Sequence, residues 1–217
     1  MNSMSTPQIA TRAFVCIAAF PFVVVSLNLL QHAHYNPVVQ AISELALGRG
    51  GILMMVAFLA LGSGIALLAV LIGRTCDRGR GIRWMLYVAA VLAGPMSAFF
   101  HTDLTGHPTT THGTIHNDSG LAAFLIILVS MYAAGRLFHR QTAWRGFAVP
   151  TLVWSVAATG AFFLIPALPA HFGLAQRVFV GTFVSWLLAA TAYARHMSLH
   201  TEDSAIAPAA DSEPTEV

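Results

Sequence analysis

The stretch GILMMVAFLALGSGIALLAVLIGRTCDRGRGIRWMLYVAAVLAGPMSAFFHTD, residues 51–103, decides the fold. It holds two apolar runs, Ile52–Ile72 and Trp84–Phe100, joined by a basic segment, Arg74–Arg83, with four arginines. Crossing bilayer hydrocarbon takes roughly 17–25 apolar residues at a rise of about 1.5 Å each. Both runs meet that length, the second at its lower limit. No water reaches backbone groups at that depth, so each run must be helical. The stretch reads as a membrane hairpin, with arginines at its turn and a His-Thr-Asp sequence at its far end.

Working outward, four more runs have the same character: Ala13–Leu30, Gly120–Phe138, Phe147–Leu168 and Val178–Ala194. The expected fold class is therefore an all-α membrane protein, a bundle of six transmembrane helices. Composition agrees: 56% of the 217 residues are hydrophobic, 9% are charged, and mean hydropathy is +0.69. A soluble domain carries about 25% charged residues. No period-2 alternation suggests a membrane barrel. The first run is followed by QHAHYNP rather than a small-residue cleavage site, so it reads as a retained helix.

Charge orients the bundle. Nine of the eleven arginines fall on one face, leaving only Arg49 and Arg177 on the other. The positive-inside rule then puts both termini in the cytoplasm of a multi-pass plasma-membrane protein. The expected organisation is an N-terminal cytoplasmic segment over 1–12, a six-helix domain over 13–195 and an acidic tail over 196–217. From Thr201 onward that tail is rich in Ala, Pro, Ser and Thr and holds five of the nine acids, so it is expected to be disordered. The arginines are scattered over short loops, which excludes a nucleic-acid-binding surface. Cys16 and Cys76 lie at or toward the reducing side, so no disulfide is expected.

Against this background, histidine and carboxylate are distributed unevenly. Seven of the ten histidines (His32, His34, His101, His107, His112, His116 and His171) fall on the face opposite the arginines. So do Glu44, Asp103 and Asp118, three of the four acids outside the tail. Ionisable groups near hydrocarbon are costly, and their clustering marks a candidate site. The densest stretch is FFHTDLTGHPTTTHGTIHNDSG, residues 99–120. A helix starting near Thr110 or Thr111, where hydroxyls can cap free N–H groups, puts His112 and His116 at i and i+4 on one face. Two imidazoles so spaced can grip one zinc ion. Asp103 or His101 would complete a three-ligand set, and Glu44 or Asp118 would act as the base toward zinc-bound water.

Each feature has a plainer reading beside it. The histidines can be interfacial and solvated. Ser43-Glu44 can be the cap of the second helix. His32 and His34 can anchor the end of the first helix, with Asn28 one turn deeper. Arg177 can hold an anionic headgroup, pair with Glu44, or simply sit at the interface. Pro21, Gly94-Pro95 and the small residues Ala60, Gly62, Ser63, Gly64 and Ala66 need only kinks and close helix packing. No G-x-S-x-G, P-loop or Rossmann fingerprint is present.

The segments SELALGRGGILMMVAFLALGSG (43–64), FFHTD (99–103), HGTIH (112–116) and GLAQRVFVG with Trp186 (173–186) resemble the bacterial and archaeal membrane proteins grouped as domain of unknown function 998. The resemblance runs over roughly residues 14–195. It implies a multi-pass membrane protein and carries no activity or residue role with it. Proline is common in that group where this chain has His101, which moves weight to Asp103, His112 and His116. In site chemistry alone, Ser43, Asp103, His112 and His116 are similar in kind to the zinc site of the alkaline ceramidase and adiponectin-receptor superfamily. That superfamily has seven helices, with its His pair near the C-terminus.

Three functions follow as expectations. The first is a metal-dependent hydrolase, with zinc as cofactor, acting in the lipid bilayer on a lipid or lipid-linked substrate. The second is a haem-binding electron carrier, with His112 and either His32 or His171 as axial ligands. The third is a non-catalytic transporter, pH sensor or structural membrane partner. Transport is disfavoured, because apart from Asn28 the spans hold few polar side chains beyond Ser and Thr.

Overall fold

The computed structural model describes residues 4–206, and residues 1–3 and 207–217 lie outside the described part. Six helices are long and apolar enough to cross a membrane: α1 (Thr6–Leu30), α2 (Gly51–Thr75), α3 (Arg80–Phe99), α4 (Thr111–His139), α5 (Thr142–Ala167) and α6 (Pro169–Leu199). No strand occurs among the described residues. Each helix packs on its neighbours in sequence, and α1 closes against α6. The bundle is thus a ring of six, and its outer surface keeps large apolar side chains such as Phe22, Ile52 and Val153 exposed. On a membrane protein those faces meet lipid.

Several helix boundaries differ from the sequence reading. The first helix starts at Thr6 rather than Ala13. Polar Gln8, Thr11 and Arg12 interrupt the apolar run, yet Ile9 and Ala10 are buried and carry the helix on. Its start is fixed by Pro7 in the first turn and by the Ser5 N–H donating to Gln8 Oε1 at 3.1 Å. At the other end the last helix continues to Ile206, past the expected domain edge at 195. A helix already nucleated by packing extends easily into solvent. The remainder of the expected tail, 207–217, lies outside the described residues.

Small residues set the closest approaches. A Cβ on Gly62 would come within 2.6 Å of the Ala90 carbonyl oxygen and 2.8 Å of Gly94 Cα, so α2 and α3 meet glycine to glycine. On its other side α2 offers Gly64, where a Cβ would meet Ile17 at 2.5 Å. Pro95 cannot donate a backbone hydrogen bond, and α3 accommodates it with a π turn over Leu92–Met96.

The two ends of the ring are built differently. At the arginine-bearing end, Phe138 and Trp144 stack with ring centroids 4.3 Å apart, and Phe147 and Tyr193 stack at 5.0 Å. Trp144 is fully buried and donates its indole N–H to Thr75 Oγ1 at 3.0 Å. At the histidine-bearing end, the loops 31–50 and 100–110 and the start of α6 cover the ring.

Candidate functional site

Beneath those loops lies a cavity of about 970 Å³. All six helices contribute to its wall: Phe20 from α1, Phe58 and Leu61 from α2, Ala93 and Ser97 from α3, His116, Gly120, Phe124 and Ile127 from α4, Phe162 and Phe163 from α5, Val180 and Phe183 from α6. The α3 π turn helps to make this space, since Ala93 lies within it and Ser97 directly follows it. Leu121 and Phe163 also line the cavity although they are 51% and 62% exposed, so it opens sideways between α4 and α5. A Cβ on Gly120 would meet nothing within 4 Å, consistent with open space beside it.

The roof is a lattice of hydrogen bonds. Glu44 is buried at the end of the first loop, inside a short 3-10 helix, Ile42–Ala46. Its carboxylate accepts from the Ala41 N–H at 2.8 Å and Gln40 Nε2 at 2.9 Å. From the second loop it accepts the Thr105 N–H at 3.1 Å and the Thr105 hydroxyl at 2.7 Å. Glu44 therefore caps its own 3-10 turn and fastens one loop to the other. Ser43-Glu44 is not the cap of α2, as the sequence suggested, because α2 starts only at Gly51, after Gly50 at φ 77°.

Asp103 is held in a similar way. Its Oδ2 accepts from the Thr110 N–H at 2.8 Å and its Oδ1 from the Thr110 hydroxyl at 2.9 Å. Thr110 in turn caps α4 by accepting the Gly113 N–H at 3.1 Å, which bears out the expected helix start. A Cβ on Gly113 would fall 1.8 Å from Asp103 Oδ2, so the carboxylate rests directly on the positive end of α4.

The sixth helix supplies the third tie. The Arg177 guanidinium donates to the carbonyls of Pro37, Gln40 and Gly173, each at 2.9 Å, and to the Tyr35 hydroxyl. It also lies 5.4 Å from the Tyr35 ring centroid. Burial pushes the Tyr35 phenol above its ordinary value, against an opposing pull from Arg177. Gln176 Oε1 accepts the Ile42 N–H at 2.8 Å, and a Cβ on Gly173 would meet the Gln40 carbonyl oxygen at 2.3 Å. The GLAQR segment is thus the dock for the first loop. Arg177 makes none of its bonds to Glu44. Gln31, which the sequence reading passed over, is buried and donates to the carbonyls of Leu45 and Arg49, both at 3.0 Å.

Of the residues proposed as metal ligands, only His116 and Asp103 reach the cavity wall. His116 is buried, and its Nδ1 lies 2.8 Å from the Phe100 carbonyl oxygen. A carbonyl only accepts, so Nδ1 carries a proton, and in the neutral ring Nε2 presents a lone pair. Nε2 has no protein partner. His112, four residues earlier, is exposed and its ring packs on Phe100 with centroids 5.4 Å apart. His101 and Asp118 are exposed and outside the wall. Among the described residues no three His, Cys, Asp or Glu side chains come together as a metal-binding group. The expected His/Asp cluster is not assembled, because Asp103 is drawn to Thr110 and α4 divides its two histidines between solvent and cavity. The histidines considered for haem, His32, His112 and His171, are all exposed and outside the cavity wall.

These observations define a multi-pass integral membrane protein with one large cavity under its histidine-bearing loops. The chain belongs to the family described as Protein of unknown function (DUF998), whose model matches residues 14–193. None of the curated proteins matches the chain, and no solved structure matches it.

Proposed function

We propose that the protein binds a neutral, hydroxyl-bearing lipid, such as a long-chain acylglycerol, in the cavity below its histidine-bearing loops. The observation that carries this reading is His116 Nε2, an unpartnered acceptor beside Phe58 in the aromatic and aliphatic part of the wall. Ligand sites of this kind are mostly apolar, with a few placed polar groups, and reach about 1,000 Å³. The lateral opening at Leu121 and Phe163 suits entry from the bilayer. A neutral imidazole accepts from a hydroxyl. The Glu44 and Asp103 carboxylates, with Arg177 committed to loop carbonyls and Tyr35, make an anionic headgroup a poor fit. With the arginine-bearing end in the cytoplasm, this site lies in the outer leaflet.

A zinc-dependent hydrolase remains the chemical extension of the same site. It would require Asp103 to leave Thr110 and His112 to turn inward. Lipid binding requires neither movement. The test is equilibrium binding of monoolein to the purified protein in detergent. Gly120→Trp, which projects into open space, should abolish binding with little change in Tm, and His116→Ala should weaken it about tenfold, the worth of one hydrogen bond. Equal monoolein binding by wild type and Gly120→Trp would overturn the reading.

A further inference from the structure

The opposite end of the molecule carries a second, chemically different cavity. A cleft of about 490 Å³ lies beside the α2–α3 turn, walled in part by Arg74, Asp77, Arg80, Arg83, Trp84 and Tyr87. Three guanidinium groups and one carboxylate leave it strongly positive. Among the described residues no carboxylate pairs with those arginines, Asp77 included. Arg74 donates to the Met4 carbonyl oxygen at 2.8 Å, which ties the segment just before α1 to this rim.

Arg83 is the informative member. Its Nε is shielded from solvent and donates to nothing. Buried polar groups normally find partners, and a cationic donor left without one is costly. Its position is imposed by Gly73, since a Cβ there would fall 2.5 Å from Arg83 Nε and 2.7 Å from Cζ. The glycine makes a berth for the guanidinium, which holds it at the cleft although no anion among the described residues receives it. No side chain caps the start of α3, and Gly79 and Arg80, where that helix begins, line the cleft. Trp84, 63% exposed, packs edge-on to Tyr87 at 6.0 Å, the amphipathic pairing found at headgroup level. Cys76 is also in the wall, and burial pushes its thiol up to about 11, so it adds no negative charge at neutral pH.

We propose that this cleft is a binding site for a phosphate group, held by the forked donors of Arg83 and Arg80 with Arg74 at its edge. Planar guanidinium forks match phosphate oxygens two at a time, which a diffuse positive surface does not. The group can come from an anionic phospholipid headgroup or from a free phosphate, and the two are separable by experiment.

Native mass spectrometry of the full chain in detergent should detect retained dioleoylphosphatidylglycerol in preference to dioleoylphosphatidylcholine. Arg83→Gln and Arg80→Gln should each lower that retention about tenfold. Arg80 is exposed, so its variant should keep the wild-type Tm. Gly73→Ala should cause a similar loss, because it evicts the guanidinium without changing charge. Inorganic phosphate at millimolar concentration, added to the same sample, identifies the source. Displacement of the lipid together with a raised Tm assigns the site to free phosphate, and no displacement assigns it to the headgroup. Equal phosphatidylglycerol retention by wild type and both arginine variants, without any phosphate effect on Tm, would overturn the proposal. So would full retention by Gly73→Ala, which would reduce the effect to net charge.

Discussion

The two ends of this ring of helices close by different means. At the arginine-bearing end, stacked aromatic rings fill the space between α4, α5 and α6, and Trp144 has no exposed surface. At the histidine-bearing end, the space between the helices is left open and the closure is a polar lattice above it. Apolar packing fills volume without specifying what else can enter. A hydrogen-bonded roof leaves volume below it, and fixes which polar atoms face that volume. The same six-helix frame is thereby plugged between α4, α5 and α6 at one end and hollow beneath a roof at the other.

The largest test of that contrast is at the plug. Trp144→Ala should destabilise the protein by about 3–5 kcal/mol, the usual loss for a large buried aromatic, read as a lower Tm or denaturant midpoint in detergent. Phe163→Ala, at the exposed mouth of the cavity, should change stability by less than about 1 kcal/mol. If the two substitutions cost the same, the hollow end is not hollow.

A second test breaks the roof. Glu44→Ala removes the acceptor for four donors and should cost about 2–4 kcal/mol, since one buried and three partly buried donors lose their partner at once. The damage should be local, with faster amide exchange in 31–50 and 101–110 and little change around Trp144. Uniform acceleration across the chain would show that the two ends are not separable. Gly113→Ala should loosen only the 101–110 loop, by pushing Asp103 off α4.

The smallest expected effect is a pH dependence. The Tyr35 phenol is raised in the folded protein, so its share of stability is complete below the ordinary tyrosine value of about 10 and declines as pH rises beyond it. A Tyr35→Phe variant should lack that alkaline step, while the arginine-bearing end titrates as before. An identical alkaline profile in both proteins would remove Tyr35 from the account.

Much of this was legible in the sequence. Apolar run length marked six spans, because a bilayer imposes that length whatever the packing. Thr110 was readable as a cap, because its partner Gly113 is three residues away. The family likeness was readable from short motifs, and the family match over 14–193 bears it out. The site was less legible. Glu44 and Thr105 are 61 residues apart and Arg177 and Gln40 are 137, and no local pattern announces such partners. Arg177 looked anomalous only as a cation on the wrong face, which in hindsight was the available signal for its role as a dock. His112 and His116 share a helical stripe, but the boundary between solvent and cavity falls between them, and i,i+4 spacing does not reveal where that boundary lies.

The bonds from Arg177 and Gln176 to residues 35–42 also have a bearing on how the protein is made. Those tethers come from the sixth membrane segment, which leaves the ribosome well after the loop they secure. Until that segment inserts, the early loop has its own internal contacts and the tie from Glu44 to Thr105, but no anchor on α6. Final assembly is therefore a late event of biogenesis, and a nascent chain arrested before residue 173 should present residues 35–42 to protease or antibody while its first five crossings are already in place.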